Sequence, residues 1–180
     1  MTETDLQAAV RAYGAGRHYR AATLERWLAL AAADAAALLD LAQDCRLGEN
    51  QLRDLWEWLS DIAARERLTL AAVLALDAVA AARRQPVGRN DRLRLVKSAL
   101  RRLRYPQLSA LEDRMTDLLR GLDLPRNVQL TLPDFLEGDA VHIEIVATDP
   151  DSLRAAAECL VRAADSPACR ELFALLGEAP

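Results

Sequence analysis

Apolar residues recur at helical spacing along nearly all of the 180-residue chain, and the period changes in one place only. Val128, Leu130 and Leu132 alternate with Gln129 and Thr131, and Val141, Ile143 and Ile145 alternate with His142 and Glu144. A period of 2 describes two half-buried strands around the loop 133–139, an antiparallel hairpin. A lone hairpin is marginal in water unless helices cover it or more strands extend it, and pairing of two hairpins would give a four-stranded sheet. Elsewhere Ala and Leu supply about 68 of the residues and aromatics only 4%, a bias toward the best helix formers. The predicted class is α+β, predominantly helical, with an N-terminal helical bundle followed by a helix–β-hairpin–helix C-terminal unit.

Turn and cap residues divide the helical part. Gly14 and Gly16 close a first helix over 3–13. Thr23 caps a stretch that runs to about residue 46, with a break near Asp34 and a stop at Leu47-Gly48. Asn50 caps the next helix, in which Leu52, Leu55, Trp56, Leu59, Ile62 and Ala63 form one apolar face. Arg53 with Glu57 and Asp61 with Arg65 stand at i,i+4 on its outer side. Thr69 caps a helix to about residue 84, ended by the linker 86–90. Asn90 or Asp91 opens a helix with the seam Leu93, Val96, Leu100 and Leu103, closed before Pro106 because a residue preceding proline avoids helical geometry. Ser109 and Glu112 fit a capping box. Asp149-Pro150-Asp151 and Ser166-Pro167 start the last two helices. The expected organisation is a helical region 1–85, the linker 86–90, and 91–180, either as two cores or as one shared core.

Three cysteines, Cys45, Cys159 and Cys169, are too few for a disulfide framework, and an odd count favours a reducing compartment. MTETDLQAAV carries acids where a secretory signal needs positive charge, and the richest apolar stretches are cut by Asp34, Asp40 and Asp77. A cytoplasmic protein without a membrane partner is the expectation.

The formal charge of −4 conceals a strong asymmetry. Residues 1–82 carry about −4, residues 83–104 about +8 and residues 105–180 about −8. At roughly 100° per residue, Arg94, Lys97, Arg101 and Arg104 share one stripe beside the Leu/Val seam, and Arg83, Arg84 and Arg89 add charge before it. Guanidinium forks suit phosphate oxygens, so such a row can follow a nucleic-acid backbone without reading sequence. The competing explanation is pairing within the fold, with Glu112, Asp113, Asp117, Asp54 or Asp61. Tyr105 can stack on a base or pack before Pro106. Trp58 falls off its helix's apolar face and marks a possible partner contact, whereas Trp56 anchors the core.

Other chemistry has little support in the residues. A helix-turn-helix over 35–65 would bring Glu49, Asp54, Glu57 and Asp61 against phosphates. His18 and His142 have no Cys or His at metal-ligand spacing, so no metal is expected. Gly14-Ala15-Gly16 lacks the third glycine and the preceding strand of a nucleotide loop, and no cofactor is expected. Asp134, Glu137, Asp139, Asp149 and Asp151 occupy turn and cap positions rather than an acid/base site. No catalytic residues are assigned, and the protein is expected not to be an enzyme.

Residues 100–139, LRRLRYPQLSALEDRMTDLLRGLDLPRNVQLTLPDFLEGD with its LRxxRYPxL junction and following LxLP, resemble the C-terminal portion of ParB-like partition proteins. LRDLWEWLSDIAARERLTLAAVL resembles the helical segment leading into that tail, so the resemblance covers roughly 40–176. It implies bacterial DNA-associated machinery, dimerisation through the hairpin and its helices, and nonspecific DNA contact by the basic helix, with Arg101, Arg102, Arg104, Tyr105 and Pro106 in the matching junction. ParB-like proteins carry an N-terminal nucleotide-binding domain and a DNA-reading helix-turn-helix. Only about 40 residues precede the matching region here, which implies a detached accessory module. The expected function is a noncatalytic ParB-like accessory protein that self-associates as a homo-oligomer and contacts nucleic acid. The alternative is an interaction adaptor whose basic stripe docks an acidic protein surface.

Overall fold

Leu52, Leu55, Leu59 and Ile62 recur every three or four residues and are at most 1% exposed, so one face of a long helix is wholly given to the core. That helix, α4 (Glu49–Glu66), is the spine of the first part of the computed structural model, which describes residues 2–133 and 140–178. The loop residues Asp134, Glu137 and Asp139 lie outside the described residues. The chain is predominantly helical α+β and divides into two compact units, Met1–Tyr105 and Pro106–Pro180.

The first unit contains α1 (Glu3–Gly16), α2 (Ala21–Leu28), α3 (Ala32–Cys45), α4, α5 (Leu70–Ala75), α6 (Asp77–Arg84) and α7 (Arg89–Arg104). Its core collects Val10, Trp27, Leu38, Leu41 and Leu47 around the α4 face, together with Val73 and Val79. Val96 and Leu100 of α7 are fully buried in the same cluster. The linker 86–90 is therefore not a unit boundary but the corner between α6 and α7, because the seam of α7 is buried against the elements before it.

Several expected ends move for tertiary reasons. Gly14 lies inside α1, where a Cβ would stand 2.3 Å from the Leu24 side chain, so close approach of α2 explains the glycine better than a helix stop. The stretch after Thr23 is two helices separated at 29–31, and Asp34 in the first turn of α3 accepts a 2.8 Å bond from the Ala71 N–H of α5. Gly48, not Asn50, caps α4. Thr69 caps α5 as expected, but the helix breaks at the extended residue Leu76. In one continuous helix Val73 and Val79 would point about 120° apart, and the break lets both be buried completely.

The second unit contains α8 (Pro106–Gly121), β1 (Val128–Thr131), β2 (His142–Ile145), α9 (Pro150–Ala164) and α10 (Pro167–Glu178). The strands pair antiparallel with Val128 opposite Ile145 and Leu130 opposite Ile143. Met115 and Leu118 of α8 meet Leu172 and Leu176 of α10 in a small core. Ser109 is not a cap: α8 begins at Pro106, and the buried Ser109 hydroxyl has no hydrogen-bond partner among the described residues. Asp149 is the cap of α9, in a capping box closed by Ser152.

Candidate nucleic-acid interface

The corner at 85–88 turns the chain back so that α6 and α7 pack together, and the basic run lies on both sides of it. Arg83, at the end of α6, donates to Asp44 Oδ2 through Nε at 3.1 Å and Nη2 at 2.6 Å. Arg92 reaches the Asp44 carbonyl at 3.4 Å and the Val87 carbonyl at 3.2 Å, tying the corner to the end of α3. These two arginines hold the corner and are not open to a ligand.

Arg84 and Arg89 are exposed on either side of the turn. Among the described residues Arg89 bonds its neighbour Asn90, at 3.3 Å, and neither Arg89 nor Arg84 has an acidic partner. On α7, Arg94 is 74% exposed and 3.4 Å from Asp91 of its own first turn, and half-buried Lys97 likewise has no acidic partner among the described residues. Arg101 is half-buried and Arg102 exposed, and both already engage partners.

Arg104 is turned the other way. Its Nη2 is 2.6 Å from Asp61 and 3.5 Å from Glu57 on α4, and its guanidinium lies 5.8 Å from the Trp58 ring and 5.2 Å from the Tyr105 ring. Pairing within the fold therefore accounts for Arg104. Trp58, half-buried against the core, is a wall for that guanidinium, while Tyr105 keeps 43% exposure. The expected Arg53–Glu57 and Asp61–Arg65 pairs are replaced: both acids serve Arg104, and Arg65 donates to the Arg104 carbonyl at 2.6 Å and to that of Leu103. A guanidinium on the last carbonyls of α7 satisfies acceptors that the helix itself cannot.

The remaining candidates fall elsewhere. His18 occupies the α1–α2 turn with φ 56°, and His142 is exposed on β2. Burial pushes the Cys45 thiol up, which keeps it protonated and unreactive. Among the described residues no three His, Cys, Asp or Glu side chains converge as a metal site, and no helix is long and apolar enough to cross a membrane.

No family model matches the chain, and no curated protein or solved structure matches it either.

Proposed function

We propose that this chain is a noncatalytic protein that contacts nucleic acid without sequence preference through Arg84, Arg89, Arg94 and Lys97, and that associates with itself. The observation that carries the reading is the stretch from the end of α6 through the first half of α7, where Arg84, Arg89 and Lys97 have no acidic partner among the described residues and Arg94 has an exposed one on its own helix. Four such cations can displace counterions from a phosphate backbone. The resemblance of 100–139 to the ParB-like tail, whose junction begins after these four residues, supports nucleic-acid contact and self-association in general.

A duplex gel shift tests it. With about four phosphate contacts, affinity should fall roughly 100-fold between about 50 and 200 mM salt. The variant with all four residues changed to Ala should lose most of that slope. Absence of retardation at low salt, or an unchanged slope in the variant, overturns the reading. All four side chains lie outside the core, so the variant tests contact rather than folding.

Self-association is favoured by α9. Leu153 and Val161 are 50% and 63% exposed, and with Ala157 and Ala164 they make an uncovered apolar stripe. Beside it runs a second exposed stripe of alternating charge, Arg154, Glu158, Arg162 and Asp165. Laid antiparallel on a copy of itself, α9 places Leu153 by Ala164, Ala157 by Val161, Arg154 by Asp165 and Glu158 by Arg162. All four pairs are symmetric about residues 158–160, so one twofold axis serves both stripes, as a closed dimer requires.

A further inference from the structure

The acidic first 82 residues contain a cationic site that no window of sequence displays. Arg20 precedes α2, Arg26 lies within it, and Arg53 lies on α4; together with Thr23 and Trp56 they line a cavity of about 280 Å³. The Arg26 guanidinium lies 4.5 Å above the centre of the Trp56 ring, which is only 3% exposed, so the wall is rigid. One acid is near: Glu49, which accepts from the Thr23 hydroxyl and stands 3.9 Å from Arg20. Among the described residues neither Arg26 nor Arg53 makes a direct ion pair, Glu57 being directed to Arg104, and the Thr23 hydroxyl, Arg20 and the charge of Arg53 hold the Glu49 carboxyl below its ordinary range. Three guanidinium groups, those of Arg26 and Arg53 exposed, thus line one concave surface beside a single carboxylate, Glu49, and leave it with a net positive charge.

Arg26 and Trp56 are also the shared wall of a second cavity, of about 480 Å³. Its lining is apolar at Ala29, Leu30, Ala63, Leu68 and Leu70 and polar at Ser60, Thr69 and Asp34, whose carboxylate accepts from the Ala71 N–H. Leu68 is 39% exposed there, uncommon for a leucine with a core beside it. The two cavities together present cationic forks at one end and an apolar trough at the other, joined across a cation–π pair.

We propose that this double cavity binds a small organic anion, a phosphate monoester carried on an aromatic or other apolar body, with the phosphate between Arg26 and Arg53 and the body over Leu68. Guanidinium donors in a fork match the oxygens of a phosphate, and the apolar trough gains from the area it removes from water. A free phosphate and an ester share the head group, and two probes separate them.

Calorimetric titration of the full chain at low salt with phenyl phosphate and with inorganic phosphate tests the assignment. Phenyl phosphate should bind at least tenfold more tightly than inorganic phosphate. Arg26→Gln and Arg53→Gln should each weaken both probes about tenfold, while Leu68→Ser should weaken phenyl phosphate alone. The variant lacking Arg84, Arg89, Arg94 and Lys97 should bind both probes as the parent does, which separates this site from the proposed nucleic-acid contacts. No binding of phenyl phosphate at about 10 mM, or binding that survives the Arg26→Gln, Arg53→Gln double change, overturns the site. Equal affinity for the two probes overturns the role of the trough. Because Arg26, Arg53 and Leu68 are exposed, unchanged thermal unfolding of their variants is expected and confirms that the fold is intact.

Discussion

Arg46 adopts φ 47° at the end of α3, a left-handed conformation that costs a non-glycine residue about 1–2 kcal/mol. Side chains distant in sequence secure the turn that it makes. The Tyr13 hydroxyl donates to the Ala42 and Leu47 carbonyls at 2.6 and 3.1 Å, the Tyr19 hydroxyl to Leu47 at 2.8 Å, and Arg17 to the Arg46 carbonyl at 2.9 Å. The two rings meet edge to face at 5.9 Å and both lie against Trp27. Burial raises the pKa of both phenols, and their mutual repulsion when ionised raises that of Tyr19 further. A raised folded-state pKa means that the stability these phenols contribute is fully present below about pH 10, their unfolded value, and is lost as pH rises through the folded values. In an alkaline titration followed at 295 nm, Tyr13 and Tyr19 should ionise only as the fold opens. Tyr19→Phe should destabilise by about 1 kcal/mol in urea, since Leu47 keeps its bond from Tyr13, and a loss of zero would mean that the hydroxyl does not secure the turn.

Elements begin where local chemistry favours it, and end where packing demands it. Thr69 accepts from the Ala72 N–H at 3.1 Å, and Asp149 accepts from Ser152 at 2.7 Å; both caps are legible in the sequence because donor and acceptor lie three residues apart. Thr69→Ala should cost about 1 kcal/mol while Thr69→Asn should not, measured by chemical denaturation. The break at Leu76, the buried Gly14 and the mid-helix Ser109 were not legible, because each answers to a neighbour far along the chain. The same holds for charge. The run 83–104 is visible in the sequence as a basic segment, but that Arg83 is held by Asp44 and Arg104 by Asp61 depends on the crossing of α3, α4, α6 and α7. The Arg20, Arg26 and Arg53 cluster is the converse case: its members are spread through an acidic segment and meet only when α2 packs beside α4. A window of sequence sums neighbours along the chain, whereas a ligand encounters neighbours in space.

At the scale of the molecule, the two units differ in how completely they bury what they have. Among the described residues, Leu68 and Tyr105 are the large apolar side chains left exposed in the first, and Ile143, Val146, Leu153, Val161 and Phe173 in the second. Among the described residues the second unit's buried cluster is Met115, Leu118, Leu172 and Leu176, and the hairpin keeps Ile143 46% exposed although the alternation put that position on the buried face of its strand. A small core with a self-complementary helix beside it favours a second copy of the chain as the cover, and the charge pattern makes the test specific. Light scattering on the full chain should give a dimer at micromolar concentration. Val161→Glu should shift it to monomer by placing a carboxylate in the apolar stripe. Arg154→Asp should weaken association because Asp165 of the partner then faces a like charge, and adding Asp165→Arg should restore it, since each copy again meets its opposite. Restoration by the second substitution separates a charge pair across a dyad from general loss of stability, which a second surface change would not repair. A monomer at about 100 μM in the parent chain, or a double variant no better than the single, would remove α9 as the dimer seam.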